Sequence, residues 1–345
     1  MIYPWQQDDW QAVQALRAQW PHALLFHGQA GTGKTDFVRH LAQGLLCEAP
    51  AANGEPCGQC VACHWLSQGN HPDFRIVVPE SMAAEAMPGD VDDSAVVETD
   101  SEGGKKTKTL SREIKIEQIR ALLDFCGVGS HRGGLRVVVL YPAEALNAAA
   151  ANALLKTLEE PPEGVVFLLV SAQIDRLLPT IISRCRQWPL SRPAHNAALA
   201  WLTQQGVEDP SGLLAEAGGA PLSAAALASD PHRALRRQTL EQFAAGAACD
   251  AFSCGEVLQK APIPLVLGWL QRWLFDLLAI KTAGQSRYYP AAAQALERCA
   301  AQADTVLLAR FIRIVNRQRM VENHPLNARL VIEELMLGYR EIFSH

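Results

Sequence analysis

The stretch from Leu135 to Cys185 constrains the fold of this chain more than any other. Val137, Val138, Val139 and Leu140 form an unbroken apolar run between a Gly133-Gly134 pair and Pro142. A continuous run of this kind, rather than an alternating one, marks a strand covered on both faces, as in a parallel sheet. An Ala- and Leu-rich segment follows from Asn147 to Glu160 and meets Pro161-Pro162, which cannot continue a helix. A second apolar run, Val165 to Val170, leads through Ser171 to the turn Ser183-Arg184-Cys185. Strand, helix and strand in this order predict a βαβ unit, and hence an α/β sheet domain.

Upstream, residues 22–27 read as another short buried strand. Directly after them comes Gly28-Gln-Ala-Gly31-Thr-Gly33-Lys34-Thr35, a full match to G-x-x-x-x-G-K-[ST] placed between a strand and a helix. The chemistry explains the pattern. Gly28, Gly31 and Gly33 let backbone N–H groups turn toward phosphate oxygens, Lys34 offsets phosphate charge, and the Thr35 hydroxyl reaches magnesium. The preceding segment, Gln6 to Gln19, reads as a helix with Trp10, Val13 and Leu16 on its apolar face.

Cys47, Cys57, Cys60 and Cys63 are spaced C-x9-C-x2-C-x2-C. Two overlapping C-x2-C pairs and an upstream fourth thiol predict a closed tetrahedral zinc site of structural type, an iron–sulfur cluster or free thiols being the alternatives. Nine cysteines in all, behind an N-terminus without a basic or apolar leader, suggest a reducing cytoplasm. A net charge of −5, from 31 basic and 36 acidic residues, argues against a chain that wraps nucleic acid by itself. Leu265 to Ile280 is the most apolar long segment, but Gln271, Arg272 and Asp276 interrupt it, so it reads as a bundle helix and no membrane partner is expected.

Residues 80–110 change character, being rich in Ala, Glu, Asp, Ser, Gly and Lys, and are expected to be a disordered insertion whose Lys105, Lys106 and Lys108 are solvated rather than bound to DNA. The pattern resumes with Ile116, Ile119, Leu122 and Cys126 on one helical face. Beyond residue 192 the chain is helical throughout, with Trp269, Trp273, Leu277 and Ile280 as a core stripe.

Asn152-ALLKTLEEP-Pro162 followed by Ser183-Arg184-Cys185 resembles the signature segments of bacterial clamp-loader subunits, AAA+ proteins that open the replicative sliding clamp. In the ATP-hydrolysing members the strand before this helix ends in Asp-Glu; here those positions are Tyr141 and Pro142. Neither is a carboxylate, so neither can hold magnesium or orient water. Gly219-Ala-Pro-Leu222 stands where hydrolysing relatives carry Gly-Ser-Leu-Arg, which removes a third charge. The chain is therefore similar to the delta-prime type of DNA polymerase III clamp-loader subunit, although the intact P-loop departs from the degraded one common in that type.

The resemblance implies a RecA-like AAA+ domain with a zinc module over residues 1–191, a small helical lid over 192–232 and an all-α oligomerisation collar over 233–345. It implies that Arg184 acts in trans as an arginine finger on a neighbour's ATP, that ATP hydrolysis in cis is negligible, and that nucleotide occupancy of the P-loop stays open. The implied partners are gamma/tau and delta type subunits in a hetero-pentamer, and through it the sliding clamp and primed DNA. No independent ATPase is then expected, but membership of a DNA-directed DNA polymerase (nucleotidyltransferase) holoenzyme. Two rival readings remain: an autonomous gamma/tau-type ATPase, which the P-loop favours, and a zinc-dependent DNA-binding module, which would need a basic surface that the sequence does not display.

Overall fold

A computed structural model describes residues 2–83, 110–132, 134–320 and 327–343. The chain divides into two compact units, 1–193 and 194–345.

The first unit is built on five strands, β1 (Ala23–His27), β2 (Phe74–Val77), β3 (Arg136–Leu140), β4 (Val165–Ser171) and β5 (Arg186–Pro189), in the order β2-β3-β4-β1-β5. Every pairing is parallel; Leu24 lies beside Leu168, and Val138 beside Phe167. Successive side chains of a strand point to opposite faces, and each face here has its own core. Leu24, Phe26, Val137, Val139, Leu168 and Val170 pack with Phe37, Val38 and Leu41 of α2 (Lys34–Leu46). Leu25, Val138, Leu140, Phe167 and Leu169 pack with α4 (Ile116–Gly127) and α5 (Ala148–Glu159) through Ile119, Leu122, Leu154 and Leu158. Both faces are thus dry, which is why β3 and β4 read as unbroken apolar runs.

The helix after β3 starts at Asn147, whose side chain accepts the Ala150 N–H at 2.9 Å, and ends before Pro161. The N-terminal helix expected over Gln6–Gln19 is broken instead into two short 3-10 turns around α1 (Gln7–Gln14), because residues 3–6 leave the helix to reach the P-loop. The insertion expected at 80–110 begins with an ordered 3-10 turn, Glu80–Met82, and Glu80 pairs with Lys115 at 2.8 Å and accepts the Ser111 N–H at 3.1 Å. The two ends of that segment therefore lie together, and residues 84–109 fall outside the described residues.

The second unit is all helix. α7 (His195–Gln204), α8 (Pro210–Glu216) and α9 (Pro221–Ala228) share a small core of Ala198, Leu202, Leu213, Leu214 and Ala224. The remaining helices, α10 (Arg233–Ala244), α11 (Ala251–Leu258), α12 (Ile263–Ala283), α13 (Ala293–Gln302), α14 (Thr305–Met320) and α15 (Ala328–Glu341), enclose a larger one. Helix α11, capped by Asp250, was not expected, and the helix expected over Leu240–Ala248 starts and ends earlier, at Arg233–Ala244.

Helix α12 is long and apolar enough to cross a bilayer by composition, but Trp269, Trp273 and Leu277 are buried in this core. Trp273 Nε1 donates to the Tyr339 hydroxyl at 2.8 Å, which donates to the Phe243 carbonyl at 2.6 Å. Asp276, fully buried on α12, accepts the backbone N–H groups of Arg287, Tyr288 and Tyr289 at 2.8–3.0 Å.

Removing that carboxylate leaves three backbone donors without a partner, at about 1–3 kcal/mol for each that stays dry. Asp276→Ala is expected to lower stability by about 3 kcal/mol and to strip amide-exchange protection from Arg287 to Tyr289. Unchanged protection there would contradict the assignment.

Candidate functional site: the P-loop, the cysteine cluster and Arg184

All five strands end at one edge of the sheet, and in open α/β sheets ligands bind beyond the carboxyl ends of the strands. The P-loop leaves β1 there. Gly28, Gly31 and Gly33 have φ of 149°, 73° and 84°, a region closed to most side chains, so the glycine spacing is a backbone requirement. Gly33 caps α2, and Lys34 and Thr35 open that helix, whose N-terminus presents N–H groups and a positive dipole end to an anion. Lys34 is 5% exposed, and its Nζ donates to the Gln29 carbonyl at 2.6 Å. Burial pulls its pKa down to about 8, partly countered by the nearby Glu144 carboxylate. The structure thus gathers Gly28, Gly31, Gly33, Lys34 and Thr35 into one phosphate-binding cradle.

Sequence reasoning missed the segment that braces this cradle. Trp5 Nε1 donates to the Thr32 carbonyl at 3.0 Å, and Gln6 Nε2 donates to the carbonyls of Thr32 and Gly33 at 3.1 and 3.0 Å. The Tyr3 hydroxyl donates to Asp36 at 3.0 Å, and the Tyr3 ring lies where a Cβ on Gly33 would approach to 2.4 Å. The aromatic pair flanking Pro4 was the available signal.

Glu144 was missed as well. It sits two residues beyond Pro142, in the 3-10 turn Ala143–Ala145, and its Oε1 accepts the Ala172 N–H, just past β4, at 3.0 Å. Tyr141 and Pro142 do occupy the end of β3, joined by a cis peptide bond.

The four thiols Cys47, Cys57, Cys60 and Cys63 converge, all Sγ atoms lying within 4.8 Å of one another. Cys47 and Cys60 are 3.9 Å apart, against ~3.8 Å for two sulfurs bound tetrahedrally at 2.3 Å from one ion. Backbone N–H groups of Cys57, Cys60 and Cys63 point at the sulfurs of Cys47, Cys57 and Cys60 at 3.2–3.4 Å, as they would to stabilise thiolates. The N–H groups of Gln59 and Cys60 pull the Cys57 thiol down to about 6, whereas burial pushes Cys63 up to about 12. Such a donor set could bind a metal ion such as zinc.

Arg184 lies elsewhere, beyond α6 (Pro179–Ile182). Its Nη1 donates to the Thr180 carbonyl at 2.9 Å, and its guanidinium pairs with Glu159 of α5; both side chains are partly exposed. Cys185 beside it is buried, and desolvation pushes its thiol up to about 12, so it is no nucleophile.

The family model described as DNA polymerase III, delta subunit, matches residues 10–194, and its C-terminal companion matches residues 232–341. A Pseudomonas aeruginosa protein named DNA polymerase III subunit delta' is 34% identical over 99% of this chain and 98% of its own length. The chain belongs to the delta-prime subunits of DNA polymerase III. The Escherichia coli subunit of that name is 31% identical over 80% of this chain and 76% of its own length. Likeness to a tau subunit is more restricted, at 36% identity over 49% of this chain and 21% of the Escherichia coli protein.

Two outcomes follow from this geometry. Metal analysis of the purified chain should find about one zinc per chain, lost in Cys60→Ser along with the fold of residues 47–67; a metal-free wild type of unchanged stability would exclude the site. Lys34 releases its proton at lower pH in the folded chain than in the unfolded one, which still binds it up to about 10.4. The unfolded state therefore holds more protons between about pH 8 and 10, and stability must rise with pH there. Lys34→Met should remove that rise when the two urea midpoints are compared across the window.

Proposed function

We propose that this chain is a non-hydrolysing, delta-prime-type clamp-loader subunit that helps place the sliding clamp on primed DNA. The observation that carries this reading is the pairing of an intact phosphate cradle with a β3 end lacking any carboxylate, Tyr141 and Pro142. A cradle without acids at that point can hold phosphate but lacks the usual group for orienting an attacking water.

Arg184 is the catalytic residue we assign, acting in trans on a neighbouring subunit's ATP. Its bond to Glu159 supports this use. A partly exposed ion pair is worth about 0–1 kcal/mol, so a triphosphate can take the guanidinium at little cost. The four cysteines hold zinc as a structural ion that fixes the segment between α2 and α3 (Val61–Ser67).

In this reading residues 1–191 are the AAA+ domain, 192–232 its lid and 233–345 the collar. The partners are gamma/tau and delta type subunits in a cytoplasmic hetero-pentamer. Within the polymerase holoenzyme the chain contributes to nucleotide-driven clamp opening without an ATPase of its own. The autonomous gamma/tau-type ATPase remains the second reading, favoured by the full P-loop match.

DNA-dependent ATP turnover by the reconstituted loader separates the two. Arg184→Ala should lower turnover severalfold, since one site loses a group worth about 10³–10⁵ in rate, while Lys34→Ala should leave it nearly unchanged. The reverse pattern would make this P-loop a working hydrolytic site and overturn the assignment.

A further inference from the structure

The described chain leaves one carboxylate oxygen unexplained at the edge of the sheet. Glu144 Oε1 is used by the Ala172 N–H, but Oε2 is buried and has no hydrogen-bond partner. A buried carboxylate oxygen without a partner is costly, and its presence calls for a ligand.

The surroundings say which. The turn Ala143–Ala145 is closed by the Ala145 N–H to the Pro142 carbonyl at 3.0 Å and the Leu146 N–H to the Ala143 carbonyl at 3.2 Å. It turns the chain back just after β3, and its Glu144 is anchored just after β4, the strand between β3 and β1. The P-loop leaves β1 at the same edge. Glu144 acts electrostatically on Lys34 without forming an ion pair with it, for Lys34 Nζ binds the Gln29 carbonyl. A negative group beside a phosphate cradle repels a bare triphosphate and attracts one that carries a divalent cation.

We infer that Glu144 is the residue through which this P-loop recognises a magnesium-bound nucleoside triphosphate, replacing the carboxylates missing at Tyr141 and Pro142. Its free oxygen faces the cation or the cation's water, while Ala172 fixes its orientation. The cradle thereby binds magnesium nucleotide as a fixed ligand, in keeping with a subunit that does not turn it over. The inference rests on the reading above that this loop holds nucleotide, but not on Arg184.

Binding of a fluorescent ATP analogue to the full chain tests it, by titration in magnesium-free buffer and again with millimolar magnesium. No chelator is used, because one would strip the cysteine cluster. For the wild type, magnesium should tighten binding about tenfold or more. In Glu144→Gln the metal-free affinity should rise, for the repulsion is gone, and the gain with magnesium should shrink below about threefold. Glu144→Asp keeps the charge and should keep part of the gain.

An unaltered magnesium gain in Glu144→Gln would overturn the inference, as would identical behaviour of the Gln and Asp variants. So would a wild type that binds nucleotide under neither condition. That last outcome would leave the trans role of Arg184 standing, since loader turnover reads it separately.

Discussion

A sheet whose strands are all parallel must send the chain back across its face after every strand, and it gathers all the carboxyl ends at one edge. The rest of the first unit depends on that constraint. The crossovers supply α2 on one face and α4 and α5 on the other, which keeps both faces dry. The gathered edge brings residues far apart in sequence, Lys34 after β1, Glu144 after β3 and Ala172 after β4, to one place.

The functional groups divide by how they are held. The P-loop is rigid because the backbone of residues 28–33 is fixed by positive-φ glycines from within and by Trp5 and Gln6 from outside. The cysteine cluster is local, four thiols within seventeen residues organised by backbone N–H groups. Arg184 is tethered by a carbonyl and an exposed carboxylate, the arrangement expected of a cation that exchanges partners. Fixed anion cradle and exchangeable cation suit a subunit that holds one nucleotide and senses another.

The second unit obeys different physics. Its helices carry no chemistry in their cores; Trp269, Trp273 and Leu277 are packing, and the buried Asp276 serves a loop rather than a ligand. Exposed Ile314, Leu330 and Leu337 remain on α14 and α15, apolar positions of the kind an oligomerising collar uses. Buried polar atoms are matched to partners by tertiary contacts alone, as with Trp273, Tyr339 and Phe243.

The sequence by itself determined the α/β class, the P-loop, the four-cysteine cluster and the loss of acids at Tyr141 and Pro142. Each is written locally, in a glycine spacing, a thiol spacing or an apolar run. It misjudged the N-terminal helix because residues 3–6 satisfy the P-loop's carbonyls instead of continuing helical bonds, a preference that no local pattern expresses. It passed over α11, whose Gly255 and paired cysteines give little helical signal and whose stability comes from packing in the larger core. Above all, the tertiary structure decided the place of Glu144. Two residues past the usual acid positions it looks like an ordinary turn glutamate. The sheet's strand order carries it to the P-loop edge, and its accepted N–H belongs to a residue 28 positions away. Spacing along the chain is local, whereas adjacency at a sheet edge is a property of topology.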